Sequence, residues 1–296
     1  MAPSIAQLEN APTAVVDWTN GMKKAPRDVA WYQATLERVP ETAKAIFRDY
    51  SGILDEDILE HIYKVRDQAW NILPYPCIGV FRFLDFPACL SPVYGEVLQR
   101  VKAGETFLDL GCCFGQDIRK LVYDGAPCNQ IIGADSESRF IDLGYDLFLD
   151  RQKLKAARFR TGDVFAEDFL ADLRGQIDII FVGSFLHLFT FDQQKTIVSQ
   201  LCKLLRKRQG SLVFGRHMAT EEIGGVLRKN ALGWDLYHHS PETIRQLWAS
   251  APESQWEVIS NLVPYASEGW SNGVNWQGGN HVKQQYFSAR RLEQSE

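Results

Sequence analysis

The hydrophobic pattern changes character near residue 105. Beyond it, short apolar runs alternate with stretches of helical period. The runs 106–110, 130–134, 157–161, 177–183, 211–215, 256–263 and 283–289 read as strands, and 192–206 after Asp192 is the clearest helix between them. Strands alternating with helices imply right-handed crossovers and a mainly parallel sheet covered on both faces. The last two runs have no long helix between them and are expected to pair antiparallel across the Gly-rich loop 269–280. Sheets of this kind hold ligands beyond the carboxyl ends of their strands, where the strand order reverses.

The first hundred residues read differently. Residues 1 to about 28 mix Pro, Ala, Asn and Thr without period and read as an arm. Helical stretches follow on both sides of Pro40, the second closed by Ser51-Gly52. Ile58, Ile62, Val65, Ala69 and Ile72 then form an apolar stripe, with Asp55 the expected N-cap and Pro74 the stop. Tyr75 to Phe86 reads as a non-helical aromatic segment, its rings expected in the core. Ser91-Pro92 is expected to open a helix that runs to Gly104. The chain so divides into an arm and helical, aromatic cap over 1–104 and a ligand-binding core over 105–296.

Charge and cysteine usage exclude several classes. The 296 residues carry 32 Lys plus Arg against 37 Asp plus Glu, a net charge of −5. No basic stripe offers itself to phosphates, so nucleic acid is not an expected partner. No apolar run reaches the length of a membrane span, and Met1–Asn20 lacks the basic-then-apolar form of a secretion signal. A cytoplasmic protein is expected. The six cysteines, at 77, 89, 112, 113, 128 and 202, include no Cys-x-x-Cys pair, so free thiols and no metal are expected.

The first core strand runs into Leu108-Asp109-Leu110-Gly111-Cys112-Cys113-Phe114-Gly115-Gln116-Asp117. Strand, tight glycine turn and helix start in succession let backbone approach a ligand closely. A P-loop would need Gly-Lys-Ser/Thr, which is absent. A dinucleotide turn would need Gly-x-Gly-x-x-Gly, where this chain has Gly-x-x-x-Gly. Asp109-x-Gly111 with Gly115 resembles motif I of the class I S-adenosylmethionine-dependent methyltransferases, with Cys113 in place of that motif's middle glycine. The second strand ends at Ala134-Asp135, 24 residues after Gly111, where an acid accepts from the ribose hydroxyls of a nucleoside. By itself Asp135 leaves S-adenosylmethionine and NAD both open, and with NAD an oxidoreductase. The third strand ends Thr161-Gly162-Asp163-Val164, resembling the segment that meets adenine in the same superfamily. The fourth ends Gly183-Ser184-Phe185-Leu186-His187, and in that superfamily this end runs beneath the cofactor.

His187 follows the fourth strand and His217 the fifth, so both are candidate catalytic bases at the edge where an acceptor would sit. His238-His239 reads as a loop pair without a role. Arg82, in the aromatic segment, and Arg216, at the end of the fifth strand, are candidates to hold a carboxylate bidentately. Phe83, with Phe81 and Phe86, is a candidate wall for an apolar substrate, as are Trp270 and Trp276. Ser184 lacks the nucleophile-elbow context of a hydrolase.

The run Leu108–Leu121, its continuation to Pro127, and the upstream Pro74-Tyr75-Pro76-Cys77-Ile78-Gly79 together resemble one fungal branch of class I methyltransferases. These are the enzymes of meroterpenoid biosynthesis that act on farnesylated aromatic acids derived from dimethylorsellinate. The resemblance runs from about Trp31 to Tyr286. It implies an α/β, Rossmann-like class I methyltransferase fold: a seven-stranded, mainly parallel sheet with an N-terminal helical extension. It implies S-adenosyl-L-methionine as cofactor and O-methylation of the carboxylate of a prenylated aromatic acid. A phenol or another small-molecule acceptor is the alternative. The methyl ester would remove a charge that interferes with later epoxidation and cyclisation. A homodimer is also implied. By position, Asp109, Gly111, Cys112 and Gly115 on the first turn would meet the cofactor. Asp135 and Ser136 after the second strand, Asp163 and Val164 after the third, and Ser184 after the fourth would complete its site.

Overall fold

Consecutive residues of a strand point to opposite faces of the sheet, and where both faces are covered, as over 107–110, 131–135 and 179–182, every residue is buried. The computed structural model describes residues 25–229, 233–252, 255–265 and 282–292. The arm before residue 25, the Gly-rich loop 269–280 and with it Trp270 and Trp276 lie outside them.

Five parallel strands form the centre: β1 (Phe107–Leu110), β2 (Ile131–Asp135), β3 (Arg158–Thr161), β4 (Ile179–Gly183) and β5 (Leu212–Thr220). Two more strands, β8 (Trp256–Pro264) and β9 (Val282–Arg291), join antiparallel, giving the order β3-β2-β1-β4-β5-β9-β8. The order reverses between β1 and β4, which puts the ligand crevice at their carboxyl ends. Phe107, Ile131, Ile179 and Leu212 bury one sheet face under helices α4 (Tyr94–Lys102) and α5 (Gln116–Tyr123). Leu108, Ile132, Ile180 and Val213 bury the other under α7 (Phe191–Leu204) and α8 (Pro241–Ala249). Both of the latter helices start on reciprocal caps, Thr190 with Gln193 and Ser240 with Thr243.

A third core belongs to the first hundred residues. Helix α1 (Glu41–Ala45) continues as a π turn over Ile46–Tyr50. Helix α2 (Ile58–Ile72) buries the predicted stripe. Their apolar faces pack with Phe81, Phe83 and Phe86 against Phe140, Leu147 and Phe148 of α6 (Ser138–Phe148).

Several local expectations need correction. The segment before Pro40 forms turns, not helix. The aromatic segment is largely helical: α3 (Pro76–Gly79) and a 3-10 turn over Arg82–Leu84, with Phe81 and Phe86 in left-handed backbone. Proline at the first helical position and dense aromatic burial override its lack of period. Helix α2 starts at Ile58 behind Asp57, not behind Asp55. Helix α4 starts behind Val93, not Ser91. Strand β5 runs five residues past Gly215, and a hairpin, β6 (Val226–Lys229) with β7 (Asp235–His238), was not foreseen. His238 ends β7 and His239 bridges to Ala219 of β5, so the histidine pair is strand and not loop.

Candidate active site

The turn after β1 is shaped by backbone that few residues tolerate. Gly111, Cys113 and Gly115 all have positive φ, at 82°, 50° and 63°. Gly115 is required twice, because a Cβ there would also come 2.6 Å from Arg119 Nη1. Gly111 N–H donates to the Ala134 carbonyl (2.7 Å), which ties the turn to β2. Asp135, at the end of β2, is 2% exposed. One carboxylate oxygen accepts from Cys113 N–H (2.8 Å) and the other from Glu137 N–H (2.9 Å). Burial pushes its acidity down, so its pKa lies above the ordinary value. Asp109 is buried beneath the turn; burial, with Asp117 and Asp135 nearby, pushes its carboxyl well up. Its Oδ2 has no hydrogen-bond partner among the described residues.

The turn is braced from behind by a buried clamp. Arg119 of α5 is fully buried and grips Asp150 through Nε (2.9 Å) and Nη2 (3.0 Å). Its Nη1 donates to the Phe114 carbonyl (2.6 Å), and Tyr50 of the N-terminal segment donates to Asp150 (2.7 Å). Phe114 itself inserts into the N-terminal core, edge-on to Phe83 (5.0 Å) and Phe140 (5.8 Å). Gly144 of α6 packs on the Phe114 backbone so closely that any Cβ would collide with it. None of Arg119, Asp150 or Tyr50 was singled out from the sequence. The only available signal was position, since Arg119 lies inside the glycine-turn motif.

The remaining predicted residues fall along the same edge. Cys112 is buried within the turn and Ser136 follows Asp135 directly, half-buried. Asp163 caps the turn after β3 by accepting from Phe165 N–H (3.0 Å), with Val164 buried beside it. Ser184 has φ of 52°, and its N–H donates to the Arg216 carbonyl (2.6 Å). Asp135 pairs in register with Thr161, and Gly183 with Arg216, so all these strand ends share one rim. Tyr75 of the N-terminal segment adds a buried hydroxyl with no hydrogen-bond partner among the described residues; burial first, then the nearby Cys77, Asp135 and Cys113, raise its pKa.

The candidate substrate residues divide. Phe83 is buried between Phe81 and Phe114. Arg216 is buried on β5, and its Nη2 meets Asp85 Oδ2 at 3.0 Å; Arg82 reaches the same oxygen at 2.7 Å. His187 and His217 are brought together with His238 and His239, all four buried. The rings of His187 and His238 stand 6.2 Å apart and those of His217 and His239 5.6 Å apart. Burial drives all four imidazoles down in pKa, His217 to about 4 and His238 to about 3. Among the described residues no group of three or more His, Cys, Asp and Glu is placed to hold a metal ion. No described helix is long and apolar enough to cross a membrane.

Known proteins place this architecture. Residues 31–84 match the family described as the meroterpenoid methyltransferase N-terminal domain. The chain is 35% identical to O-methyltransferase atr3 of Stereocaulon alpinum, over 86% of this chain and 74% of that protein. It is 45% identical to the Asnovolin E/Chermesin D methyltransferase nvfJ of Aspergillus novofumigatus, over 65% of this chain and 72% of that protein. The chain belongs to the fungal meroterpenoid methyltransferases. Solved structures agree on the fold of this methyltransferase. Phosphoethanolamine N-methyltransferase 2 of Haemonchus contortus, in complex with S-adenosyl-L-methionine, superposes with a TM-score of 0.50 at 13% identity, over 77% of this chain and 60% of that one. The [4+2]-cyclase SpnF superposes with a TM-score of 0.50 at 15% identity, over 67% and 80%. A cyclase on the same frame shows why the reaction must be argued from the site and from the family, not from the fold.

Proposed function

We propose that this methyltransferase uses S-adenosyl-L-methionine to convert the carboxylate of a prenylated aromatic acid into its methyl ester, in fungal secondary metabolism. The single observation that carries the reading is the shared rim: one glycine turn in left-handed backbone, with Asp109, Asp135, Asp163 and Ser184 along it. These residues fit an adenosyl cofactor. Asp109 Oδ2 and the Tyr75 hydroxyl are buried polar atoms without partners among the described residues. Asp135 would take the ribose hydroxyls, and Asp163 and Val164 the adenine. When bound, the cofactor supplies an electrophilic methyl carbon: an acceptor oxygen lone pair forms the O–C bond, the C–S pair stays on sulfur, and sulfonium plus carboxylate become thioether plus ester with no proton moved.

The protein's own share is positioning and exclusion of water. Aligning donor and acceptor at about 3 Å contributes several kcal/mol, and a dry site strengthens the attraction between opposite charges. A carboxylate is ionised at neutral pH and needs no base, whereas a phenol does. The low pKa values of His217 and His238 make them poor bases for a phenol, which favours the carboxylate. A homodimer is proposed from the resemblance, with sedimentation velocity as its test.

The reaction is tested with S-adenosyl-L-methionine and a farnesylated 2,4-dihydroxybenzoic acid, which offers both oxygen types. Mass spectrometry would find a methylated product that alkali cleaves, as an ester must. An alkali-stable methyl ether would overturn the carboxylate reading.

A further inference from the structure

The four buried histidines are not equivalent in what they have left to bond. His239 is fully engaged: Nε2 meets Gln194 Oε1 (2.6 Å) and Nδ1 meets Thr243 Oγ1 (3.0 Å). His217 is engaged on one side only. It lies opposite Gln285 across the β5–β9 pair, and its Nε2 meets Gln285 Oε1 at 2.7 Å. Gln285 is oriented by its own amide, which donates to Ser260 Oγ (3.4 Å). A neutral His217 therefore carries its proton on Nε2 and presents a bare lone pair at Nδ1. That Nδ1 is buried with no hydrogen-bond partner among the described residues. His238 is engaged on neither side, and both of its ring nitrogens are buried and without such partners. His187 Nδ1 is in the same condition. None of the four is hydrogen-bonded to a carboxylate among the described residues, so no acid orients any of them as a base.

Buried polar atoms left unpaired are costly, and a ligand that bonds them relieves that cost. A bare carboxylate has only acceptors and cannot satisfy a lone pair on His217. An occupant that satisfies both histidines carries an O–H or N–H donor as well as an acceptor. We infer that His217 and His238 together read a hydroxylated acid: His217 Nδ1 accepts from a hydroxyl of the acceptor molecule, and a His238 N–H donates to its carboxylate. This rests on the carboxylate reading above and adds to it the residues that hold the acceptor.

The arrangement also suits the chemistry. A full positive charge on the acceptor carboxylate would stabilise the ground state, where the oxygen is anionic, more than the transition state, where that charge is being lost. Neutral N–H donors position the oxygen with a smaller penalty of that kind. The neighbouring Arg216 is instead ion-paired with Asp85. An imidazole that stays neutral at pH 7 accepts from the hydroxyl without ionising it, so the hydroxyl serves as a handle and the carboxylate as the nucleophile.

The test uses two probe acids: farnesylated 2,4-dihydroxybenzoic acid, and the same farnesylated acid lacking both hydroxyls. For the wild type, KM for the hydroxyl-free acid should be about 10-fold higher or more, the factor expected when a buried acceptor loses its donor. His217→Phe should raise KM for the dihydroxy acid by a similar factor and leave the hydroxyl-free acid nearly unchanged, erasing the discrimination. His217→Asn, which restores a side-chain oxygen, should recover part of it. His238→Phe should raise KM for both acids. Titration with S-adenosylhomocysteine, unchanged in each variant, establishes that the fold and cofactor site survive. Equal effects of His217→Phe on both acids, or no discrimination by the wild type, would overturn the inference while leaving ester formation intact. No methyl ester from the wild type with either acid, although S-adenosylhomocysteine binds, would overturn the carboxylate reading and this one together.

Discussion

The two halves of the sheet's carboxyl edge are built by different means. On the β1–β3 side, one contiguous motif makes the turn, and its polar groups are largely bonded before a ligand arrives: both oxygens of Asp135 already accept backbone N–H groups. On the β4–β5 side, His187, His217 and His238 come from three separated segments, and the Nδ1 of each, with Nε2 of His238, remains without a partner among the described residues. A ligand on the first side joins a preformed hydrogen-bond frame. A ligand on the second side supplies the missing bonds. Binding a common cofactor suits the first design, and selecting among acceptors suits the second.

The contrast can be broken most severely at its shared foundation. Arg119→Met leaves Asp150 buried without its cation, and chemical denaturation should show a loss of about 3–5 kcal/mol. S-adenosylhomocysteine affinity should fall with it, since the Phe114 carbonyl loses its brace. Unchanged stability would mean that the clamp does not hold the turn.

On the histidine side, acid should destabilise the fold. Unfolded histidine titrates near 6.5, whereas burial holds His217 at about 4 in the fold. Above pH 6.5 both states are neutral. Below it the unfolded chain takes up a proton that the folded chain refuses, so this residue's contribution is lost as the pH falls from about 6.5 towards 4. The stability gap between wild type and His217→Asn should therefore narrow over that window, by an amount on the order of 3 kcal/mol. A gap that stays constant with pH would mean that His217 is not held neutral by burial.

Asp135→Ala isolates the other side. S-adenosylhomocysteine should bind roughly 5- to 150-fold more weakly by calorimetry, the cost of about 1–3 kcal/mol for unpaired hydroxyls. KM for the acid should hardly move. Loss of acid binding in parallel would show that the two sides are one coupled site. Thr190→Ala is the smallest effect. It removes a helix cap for about 1 kcal/mol of thermal stability and should leave both affinities unchanged.

The same division explains what the sequence could reveal. Strands β1 to β4 sit within two residues of their expected positions: β1, β2 and β4 are short, largely apolar buried runs, and β3 is the half-exposed edge strand beside them. The rim residues were legible because a glycine turn, an acid 24 residues on and the Gly-Asp-Val end keep fixed spacing in one chain direction. The histidine side was not. Arg216, His217 and Thr220 are polar yet buried, so β5 was expected to stop at Gly215. The β6–β7 hairpin inverts the usual pattern, exposing Leu227 while burying His238. No spacing rule predicts that Gln285, on a strand reached only after the Gly-rich loop, will orient His217. Arg216 had the character of a substrate anchor, but its partner Asp85 comes from a segment far upstream that only the fold brings near.

That long-range pairing bears on how such enzymes could be recombined. Tyr50 reaches Asp150 behind the glycine turn, and Asp85 reaches Arg216 at the end of β5. A chimera that exchanges the N-terminal hundred residues between relatives, in search of a new acceptor, would sever both contacts unless Tyr50 and Asp85 travel as matched sets with the receiving scaffold. Grafts that conserve those two pairs are the ones to build first.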